Sequence, residues 1–324
     1  MIKDASPIIG SAATAKVYDM ALKASKVDYP VLILGETGVG KEMVARFIHQ
    51  NSKRTKNKEL ITLNCSAFPD SLVESELFGH VKGSFTGADR DKVGLVDEAK
   101  NGSLFLDEIG DMSSLMQAKL LRVLESGEYL PVGSTILKES NFRLIAATSK
   151  QLQELVKSGL FRDDLYYRIG TIKIRVPPLR DRTEEILGLA RFFLNESGFL
   201  AIDISQDVLD VFLCYTWPGN VRELKHVIQY SIMLLEPKDS SIELKHLPAE
   251  IFRKDNCPLL REGDLSLIER EQCFRRTLVI ETMRQHNGDY KEVCRLLRVS
   301  KNVIYKSMRD RWHTQSNKPH GKVQ

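Results

Sequence analysis

Residues 35–42 read Gly-Glu-Thr-Gly-Val-Gly-Lys-Glu, and this stretch decides the fold. It follows an apolar run at 31–34, Val-Leu-Ile-Leu, and precedes a stretch at 43–49 with helical character. The order strand, glycine loop and helix predicts a nucleotide site. The spacing supports this, because it is that of a phosphate loop at Gly35, Gly40 and Lys41. Glycine lets backbone N–H groups curl around a triphosphate, and a helix start adds positive potential. A glycine-rich turn with a chance lysine is the alternative.

The whole loop is expected to contact the nucleotide, with Lys41 reaching the β- and γ-phosphates. Position 42 departs from the usual pattern, because it is Glu where a Ser or Thr hydroxyl commonly binds magnesium. The predicted loop contacts are Gly35, Glu36, Thr37, Gly38, Val39, Gly40, Lys41 and Glu42.

The composition describes an ordinary globular protein. The 324 residues leave room for roughly two or three domains. No apolar run approaches the ~18 residues that span a membrane, and no secretion signal is recognisable at the N-terminus. The five cysteines lack metal or redox spacing, so a reducing cytoplasm is expected. From residue 261 onward there are 14 Lys or Arg and 8 Asp or Glu, a net of +6. This imbalance favours contact with an anionic polymer, although a solvated surface is the alternative.

Short apolar runs alternate with helical stretches and predict an α/β fold with a parallel sheet covered by helices on both faces. The ligand should lie at the carboxyl ends of the strands. The predicted strands are 31–34, 60–63, 103–106, 142–147 and 171–176, and the predicted helices beyond Pro177-Pro178 are 184–196, 206–215 and 221–235. The predicted domains are an α/β ATPase subdomain at 7–178, a small all-helical lid at 179–250, a linker at 251–264, a helix-turn-helix at 265–311 and a disordered tail at 312–324.

Two acids, Asp107 and Glu108, follow the apolar run at 103–106. A carboxylate at a strand end beside a phosphate loop can hold Mg²⁺, and this is the role expected of Asp107. Glu108 suits a general base that polarises the attacking water. A surface acid that caps a helix starting near Met112 is the alternative for Glu108.

The C-terminal module shows helix-turn-helix spacing. A short helix at 290–297, a turn at 298–300 and a second helix at 301–310 would present the last helix to a major groove of double-stranded DNA. An ordinary helical hairpin is the alternative. The residues expected to contact phosphates or base edges are Lys291, Lys301, Asn302, Tyr305, Lys306 and Arg309.

Residues 83–88, Gly-Ser-Phe-Thr-Gly-Ala, carry the most specific resemblance. With the phosphate loop ending in Gly-Lys-Glu and the flanking Glu-Leu-Phe-Gly-His at 76–80, they make the chain similar to the sigma-54-dependent transcriptional activators, a branch of the AAA+ ATPases. That resemblance covers nearly all of 7–311 and includes a Fis-type DNA-binding domain. It implies ATP and Mg²⁺ as cofactors, sigma-54 RNA polymerase and upstream DNA as partners, and a ring of six copies or of paralogues. The implied sigma-factor contacts are Gly83, Ser84, Phe85, Thr86, Gly87 and Ala88, of which Ser84 departs from the family's Ala.

Other roles follow from the resemblance residue by residue. Asn64 matches the residue that holds the catalytic Glu108, and Thr148 matches the sensor of the γ-phosphate. Ser149 stands where the family often has Asn. Arg162 and Arg168 match arginine fingers that reach a neighbouring subunit's nucleotide, although pairing with Asp163 and Asp164 is the physical alternative. Arg222 matches a lid sensor in cis. The remaining implied nucleotide contacts are Ile8 and Ile9 at the adenine pocket, and Glu98 and Gly102 before the strand that ends at Asp107.

The leading hypothesis is an enhancer-binding activator that hydrolyses ATP to open promoter complexes. A AAA+ machine with another substrate and a DNA-binding repressor with a vestigial nucleotide site are the alternatives. The ATPase begins near Pro7, where the family usually has a regulatory domain first, so control in trans, by a separate regulatory protein or by expression level, is expected. A truncated chain is the alternative. This layout resembles the phage-shock activator and the Hrp regulators of type III secretion, with the Hrp type and virulence genes preferred.

Overall fold

The computed structural model describes residues 10–55, 58–252 and 290–300, and the single positions Val279, Thr282, His286 and Val303. The chain divides into two compact units, Met1–Pro178 and Leu179–Gln324. Within the described part, the structure has no helix with the length and apolar character needed to cross a membrane.

The first unit is built on a five-stranded sheet with the order β2-β3-β6-β1-β7, in which all neighbouring strands are parallel. This confirms the predicted α/β class. Each strand lies within one residue of the predicted bounds. The strands are β1 Val31–Leu34, β2 Ile61–Asn64, β3 Ser103–Asp107, β6 Arg143–Thr148 and β7 Ile172–Arg175, and a small antiparallel hairpin consists of β4 Glu128–Tyr129 and β5 Lys138–Glu139.

Apolar residues cover both faces of this sheet. In β1, Val31 and Ile33 belong to one buried cluster and Leu32 to another, because successive side chains of a strand point to opposite faces. Residues of α1 and α2 complete the first cluster, and residues of α3, α5 and α7 complete the second. The helices of the unit are α1 Ala12–Ser25, α2 Lys41–Gln50, α3 Asp70–Phe78, α4 Leu95–Glu98, α5 Ser114–Ser126, α6 Leu152–Lys157 and α7 Asp163–Ile169.

The second unit is mainly helical, with α8 Ile186–Glu196, α9 Gln206–Cys214 and α10 Asn220–Met233. The expectation of an all-helical lid is wrong in one respect, because β8 Asp203–Ile204 and β9 Ser241–Ile242 form a short parallel pair. These two-residue strands are too short to give a periodic pattern in the sequence. Trp217 is fully buried in this unit, and its indole Nε1 donates to the Phe212 carbonyl at 2.8 Å.

A further helix, Tyr290–Leu297, has the predicted bounds, and the chain turns after it at Arg298, whose φ is 50°. Val293 is fully buried in a small cluster with Val279. The predicted second helix of the helix-turn-helix, the linker residues 253–264 and the tail at 312–324 lie outside the described residues.

Candidate nucleotide site

The phosphate loop joins β1 to α2 in a left-handed conformation that requires glycine. Gly38 and Gly40 have φ values of 78° and 100°. Gly40 is the N-cap of α2 and has no capping side chain. Since the first N–H groups of a helix lack intrahelical partners, this arrangement offers donors to an anion.

The start of the loop is tightly packed. Gly35 donates its backbone N–H to the Thr148 carbonyl at 3.3 Å, which connects the loop to the end of β6. A Cβ at position 35 would lie 2.9 Å from the Val176 carbonyl oxygen and 3.0 Å from a methyl group of Val39. The sheet therefore fixes the beginning of the loop.

Lys41 is the first residue of α2, and its side chain is only 6% exposed. Its Nζ donates to the carbonyl oxygens of Gly35 at 3.0 Å and Glu36 at 3.3 Å, and to Oε1 of Glu108 at 3.1 Å. The ammonium group is therefore held inside the loop and paired with the acid that follows β3.

The two acids at the end of β3 have different environments. Asp107 accepts the Glu108 backbone N–H at 3.0 Å through Oδ1. Glu108 has a left-handed backbone with φ and ψ both at 49°, which is uncommon for a residue with a side chain. Such strain persists only where the surroundings enforce it, and it is frequent at functional sites.

Ser149 holds the carboxylate of Glu108. Its backbone N–H and its Oγ–H both donate to Oε2 of Glu108, at 2.8 and 2.9 Å. Thr148, directly before it, is fully buried at the end of β6, and its Oγ1 accepts the Lys150 N–H at 3.1 Å. The end of β6 thus contacts both the phosphate loop and the glutamate.

The pKa values of the two acids shift in opposite directions. Burial raises the pKa of Asp107, and the negative charge of Glu108 adds to this. Burial would also raise the pKa of Glu108, but hydrogen bonds from Ser149 and Lys41 outweigh it and hold that pKa below its ordinary value. The charge of Asp107 is therefore less fully compensated than that of Glu108, which suits a carboxylate that gains from a nearby cation.

The predicted contact between Asn64 and Glu108 is not formed. Oδ1 of Asn64 instead accepts the Ser66 N–H and Oγ–H, at 2.9 and 2.8 Å. The strands β2 and β6 flank β3 on opposite sides, and the carboxylate of Glu108 lies on the β6 side. Sequence reasoning noticed Ser149 only as a departure from the family and missed its contact with Glu108.

Two other predicted nucleotide contacts need correction. Gly102 directly precedes β3, and Glu98 is the exposed last residue of α4. The length of the strand, roughly 16 Å at about 3.3 Å per residue, separates Gly102 from Asp107, so neither residue joins the site. Glu42 pairs with Arg46 on α2, at 2.6 Å, and its negative charge also helps to raise the pKa of Asp107, so its contact with the nucleotide stays a prediction. Ile8 and Ile9 lie outside the described residues.

The two candidate arginine fingers flank α7, with Arg162 as its N-cap and Arg168 in its last turn, and both have partners within the unit. Arg162 forms a two-point ion pair with Asp164, at 3.0 and 2.6 Å, and both side chains are about half exposed. Arg168 donates to the Leu124 carbonyl at 2.5 Å. The physical alternative considered from the sequence therefore holds for Arg162 in the single chain. An exposed pair of this kind contributes little to stability, so its release is inexpensive.

The 83–88 loop is a glycine-hinged turn. Gly83 and Gly87 have φ values of 81° and 101°, and a Cβ at either position would meet no atom within 4 Å. Phe85 is 39% exposed and packs edge-on against His80, with ring centroids 5.0 Å apart. Ala88 is buried and closes the turn by accepting the Gly83 N–H at 2.9 Å. The loop therefore presents an aromatic side chain on a backbone with space around its hinges.

Ser84 is an unusual member of this loop. Its Oγ is buried and has no hydrogen-bond partner among the described residues. It lies against Gly133, where a Cβ would come within 2.5 Å of the Ser84 Cβ. A buried hydroxyl without a partner costs free energy, so this position is less favourable than the family's Ala would be.

In the second unit, Arg222 lies exposed in the first turn of α10. The preceding turn has left-handed backbone at Trp217 and Asn220, and Oδ1 of Asn220 accepts the Leu179 N–H at 2.8 Å. Lys291 is exposed on the helix Tyr290–Leu297. The other predicted DNA contacts, Lys301, Asn302, Tyr305, Lys306 and Arg309, lie outside the described residues.

Two family profiles match the chain. One described as a Sigma-54 interaction domain matches residues 8–175, and one described as an AAA+ ATPase lid domain matches residues 180–259. The first profile covers the phosphate loop, the acids after β3 and the 83–88 loop.

Curated relatives and solved structures agree with these profiles. The chain is 43% identical over 241 residues to the DNA-binding transcriptional regulator NtrC of Rhizobium meliloti, which is 73% of this chain and 49% of that protein. It is 38% identical over 323 residues to the regulatory protein LuxO of Vibrio cholerae, which is 92% of this chain and 60% of that protein. The crystal structure of NtrX from Brucella abortus in complex with ATP superposes with a TM-score of 0.69 at 28% identity, covering 94% of this chain and 69% of that one.

The chain thus spans about half to three-fifths of the length of these curated relatives. The profile over residues 8–175 accounts for more than half of the chain and contains the site described above. The chain belongs to the sigma-54-dependent activators, a family with an AAA+ ATPase domain.

Proposed function

We propose that the protein hydrolyses ATP and uses the energy to open promoter complexes of sigma-54 RNA polymerase. The observation that carries this proposal is the grouping of Lys41, Asp107, Glu108 and Thr148 around one phosphate loop, in the same unit as the 83–88 loop. The ATP named for the NtrX structure supports the choice of nucleotide.

Each residue of the site has a role in this chemistry. The loop amides and Lys41 bind the phosphates, and Glu108 orients and deprotonates the attacking water. Thr148 at the end of β6 senses the γ-phosphate. Asp107 would hold Mg²⁺ directly or through water, which fits its raised pKa and the preference of Mg²⁺ for one or two carboxylates plus phosphate oxygens. When bound, the metal would supply charge neutralisation on the phosphates.

The active form is a ring, with six subunits as the expected number. Arg162 and Arg168 leave their partners Asp164 and Leu124 and reach the nucleotide of the neighbouring subunit. Arginine supplied in this way neutralises transition-state charge and is worth ~10³–10⁵ in rate. Arg222 of the lid is proposed to contact the nucleotide in cis.

The 83–88 loop transmits the result of hydrolysis to the sigma factor through Phe85 and Thr86. Its hinges at Gly83 and Gly87 support this role, because they permit the loop to move without disturbing the sheet.

A helix-turn-helix at 265–311 is proposed to bind upstream double-stranded DNA, with Lys291 as one phosphate contact. Activation of Hrp-type virulence genes is a finer prediction that rests on resemblance alone. Mapping of the occupied DNA sites in the genome tests both, because the bound promoters identify the regulated genes.

The direct test uses purified protein, sigma-54 RNA polymerase and a promoter fragment. Permanganate reactivity of unpaired thymines should appear with ATP and be absent with a non-hydrolysable analogue. Polymerase carrying a housekeeping sigma factor serves as the control and should not respond. Melting that occurs without hydrolysis, or equally with either sigma factor, would refute the proposal.

A further inference from the structure

We propose that Ser149 is a positioning residue whose two hydrogen bonds hold the Glu108 carboxylate on the Lys41 ammonium. We call this arrangement of Ser149, Glu108 and Lys41 the clasp, and a nucleotide must displace Glu108 from it to bind the lysine. The proposal rests on the ATPase function proposed above and assigns Ser149 the holding role that the family resemblance gave to Asn64.

The geometry engages both oxygens of the carboxylate. Oε2 of Glu108 accepts two hydrogen bonds from Ser149, from the backbone N–H at 2.8 Å and from the hydroxyl at 2.9 Å. Oε1 accepts from the Lys41 ammonium at 3.1 Å. Hydrogen bonds to a charged group are shorter and stronger than neutral ones, so three of them fix the carboxylate in one orientation.

The same arrangement occupies Lys41. An ammonium group has three donors, and those of Lys41 face the carbonyl oxygens of Gly35 and Glu36 and the carboxylate of Glu108. A phosphate oxygen can therefore bind Lys41 only by displacing one of these acceptors. The two carbonyls belong to the backbone of the loop, whereas the carboxylate is on a side chain and is also repelled by an incoming phosphate. Glu108 is the group that leaves.

Ser149 sets how much free energy this release costs. Each bond from Ser149 stabilises the arrangement in which Glu108 lies on Lys41 rather than beside a water molecule. Release of the carboxylate from both residues would therefore coincide with binding of the γ-phosphate, which links occupation of the site to the freeing of the general base.

Asn64 is not in a position to share this role in the structure. Only its amide Nδ2 could donate to a carboxylate, and the described hydrogen bonds to the Glu108 side chain come from Ser149 and Lys41 instead. Strand β2, which ends at Asn64, lies on the side of β3 away from β6. The backbone at Glu108, with φ and ψ both at 49°, is compatible with a carboxylate directed to the β6 side.

The test measures the affinity of the full chain for a slowly hydrolysed ATP analogue with Mg²⁺. Ser149→Ala removes the hydroxyl but keeps the backbone N–H. It should tighten binding about three- to tenfold, the order expected from one hydrogen bond. Ser149→Thr retains a hydroxyl donor and should remain within about twofold of the unmodified protein, on the same scale. Ser149 is exposed, and thermal unfolding of each variant confirms that it folds.

A double-mutant cycle separates a clasp from a general structural effect. In a Glu108→Ala background, Ser149→Ala should no longer change the affinity, because the acceptor is gone. Ser158→Ala is the matched control, since its hydroxyl donates only to the Glu154 and Leu155 carbonyls at the end of α6.

Two results would overturn the proposal: an unchanged affinity in Ser149→Ala, or the same change in both backgrounds. Lys41→Ala in the same titration distinguishes failure of the clasp from failure of the proposed function. Loss of binding in that variant supports the nucleotide site even if Ser149 has no effect. Retained binding would contradict the assignment of the nucleotide site to this loop.

Discussion

The phosphate loop and the 83–88 loop are both rich in glycine, but they use it in different ways. At Gly35 a Cβ would lie 2.9 Å from a backbone oxygen, whereas at Gly83 and Gly87 it would meet no atom within 4 Å. Lys41 is 6% exposed and has three acceptors, while Phe85 is 39% exposed and contacts one neighbouring ring. Gly35 permits close packing at the start of the first loop, although Gly40 is as open as Gly83 and Gly87 and serves a left-handed backbone. The start of the phosphate loop and Lys41 are thus held by close contacts, whereas the loop proposed to transmit the result of hydrolysis has open space at both hinges.

The largest effect is expected from Lys41→Ala. The variant should lose ATP binding, and with it all hydrolysis, because no other ammonium is held within the phosphate loop in the described structure. Equilibrium titration with a fluorescent nucleotide measures this. Lys23→Ala is the control, since Lys23 only pairs with Asp19 on the surface of α1. Normal ATP affinity of the Lys41 variant would contradict the assignment of nucleotide binding to the phosphate loop, which is the property that distinguishes it from the 83–88 loop.

Arg162→Ala tests whether the rigid site is complete in one subunit. Turnover should fall by ~10³-fold or more while nucleotide binding is kept, because the arginine acts on a neighbour's transition state. Mixing this variant with Lys41→Ala subunits should restore part of the activity. Arg122→Ala, which removes an exposed arginine paired with Glu128, is the control. Full activity of the Arg162 variant alone would contradict a shared site.

Gly35→Ala probes the packing of the phosphate loop. Its Cβ would approach the Val176 oxygen and the Val39 methyl group, so the free energy of unfolding should decrease by roughly 1–3 kcal/mol. Urea unfolding measures this change. An unchanged midpoint would show that the beginning of the loop can move as easily as the 83–88 loop.

Ser84→Ala should have the smallest effect and the opposite sign. It removes a buried hydroxyl without a partner, so the free energy of unfolding should stay equal or rise by up to about 1 kcal/mol. The same urea titration compares it directly with Gly35→Ala. A clear loss of stability would mean that the hydroxyl has a stabilising role.

The parts of the fold that depend on local patterns could be predicted from the sequence. The apolar runs located all five strands of the main sheet, and the glycine spacing located the loop that contains Lys41. The acids after β3 were predicted to lie beside that loop, and the contact between Lys41 and Glu108 at 3.1 Å confirms their proximity.

The errors concern contacts that depend on tertiary geometry. The choice of Ser149 over Asn64 depends on which side of β3 the Glu108 carboxylate lies, and residue spacing does not encode this. Glu98 and Gly102 are near Asp107 in sequence, but an extended strand carries them to the other end of the sheet. The role of Arg162 toward a neighbouring subunit stays a prediction, because the single chain shows only its pair with Asp164.

The most direct test of the account compares two outputs of one variant. Phe85→Ala should hydrolyse ATP at close to the normal rate, because the phosphate loop and its acids are unchanged. It should fail to open sigma-54 promoter complexes, because the exposed ring is lost. The number of open complexes formed per ATP hydrolysed is the quantity to measure, for the variant and the unmodified protein side by side. A ratio near zero for the variant is the predicted result, and an unchanged ratio would contradict the separation of rigid chemistry from a movable transmitting loop.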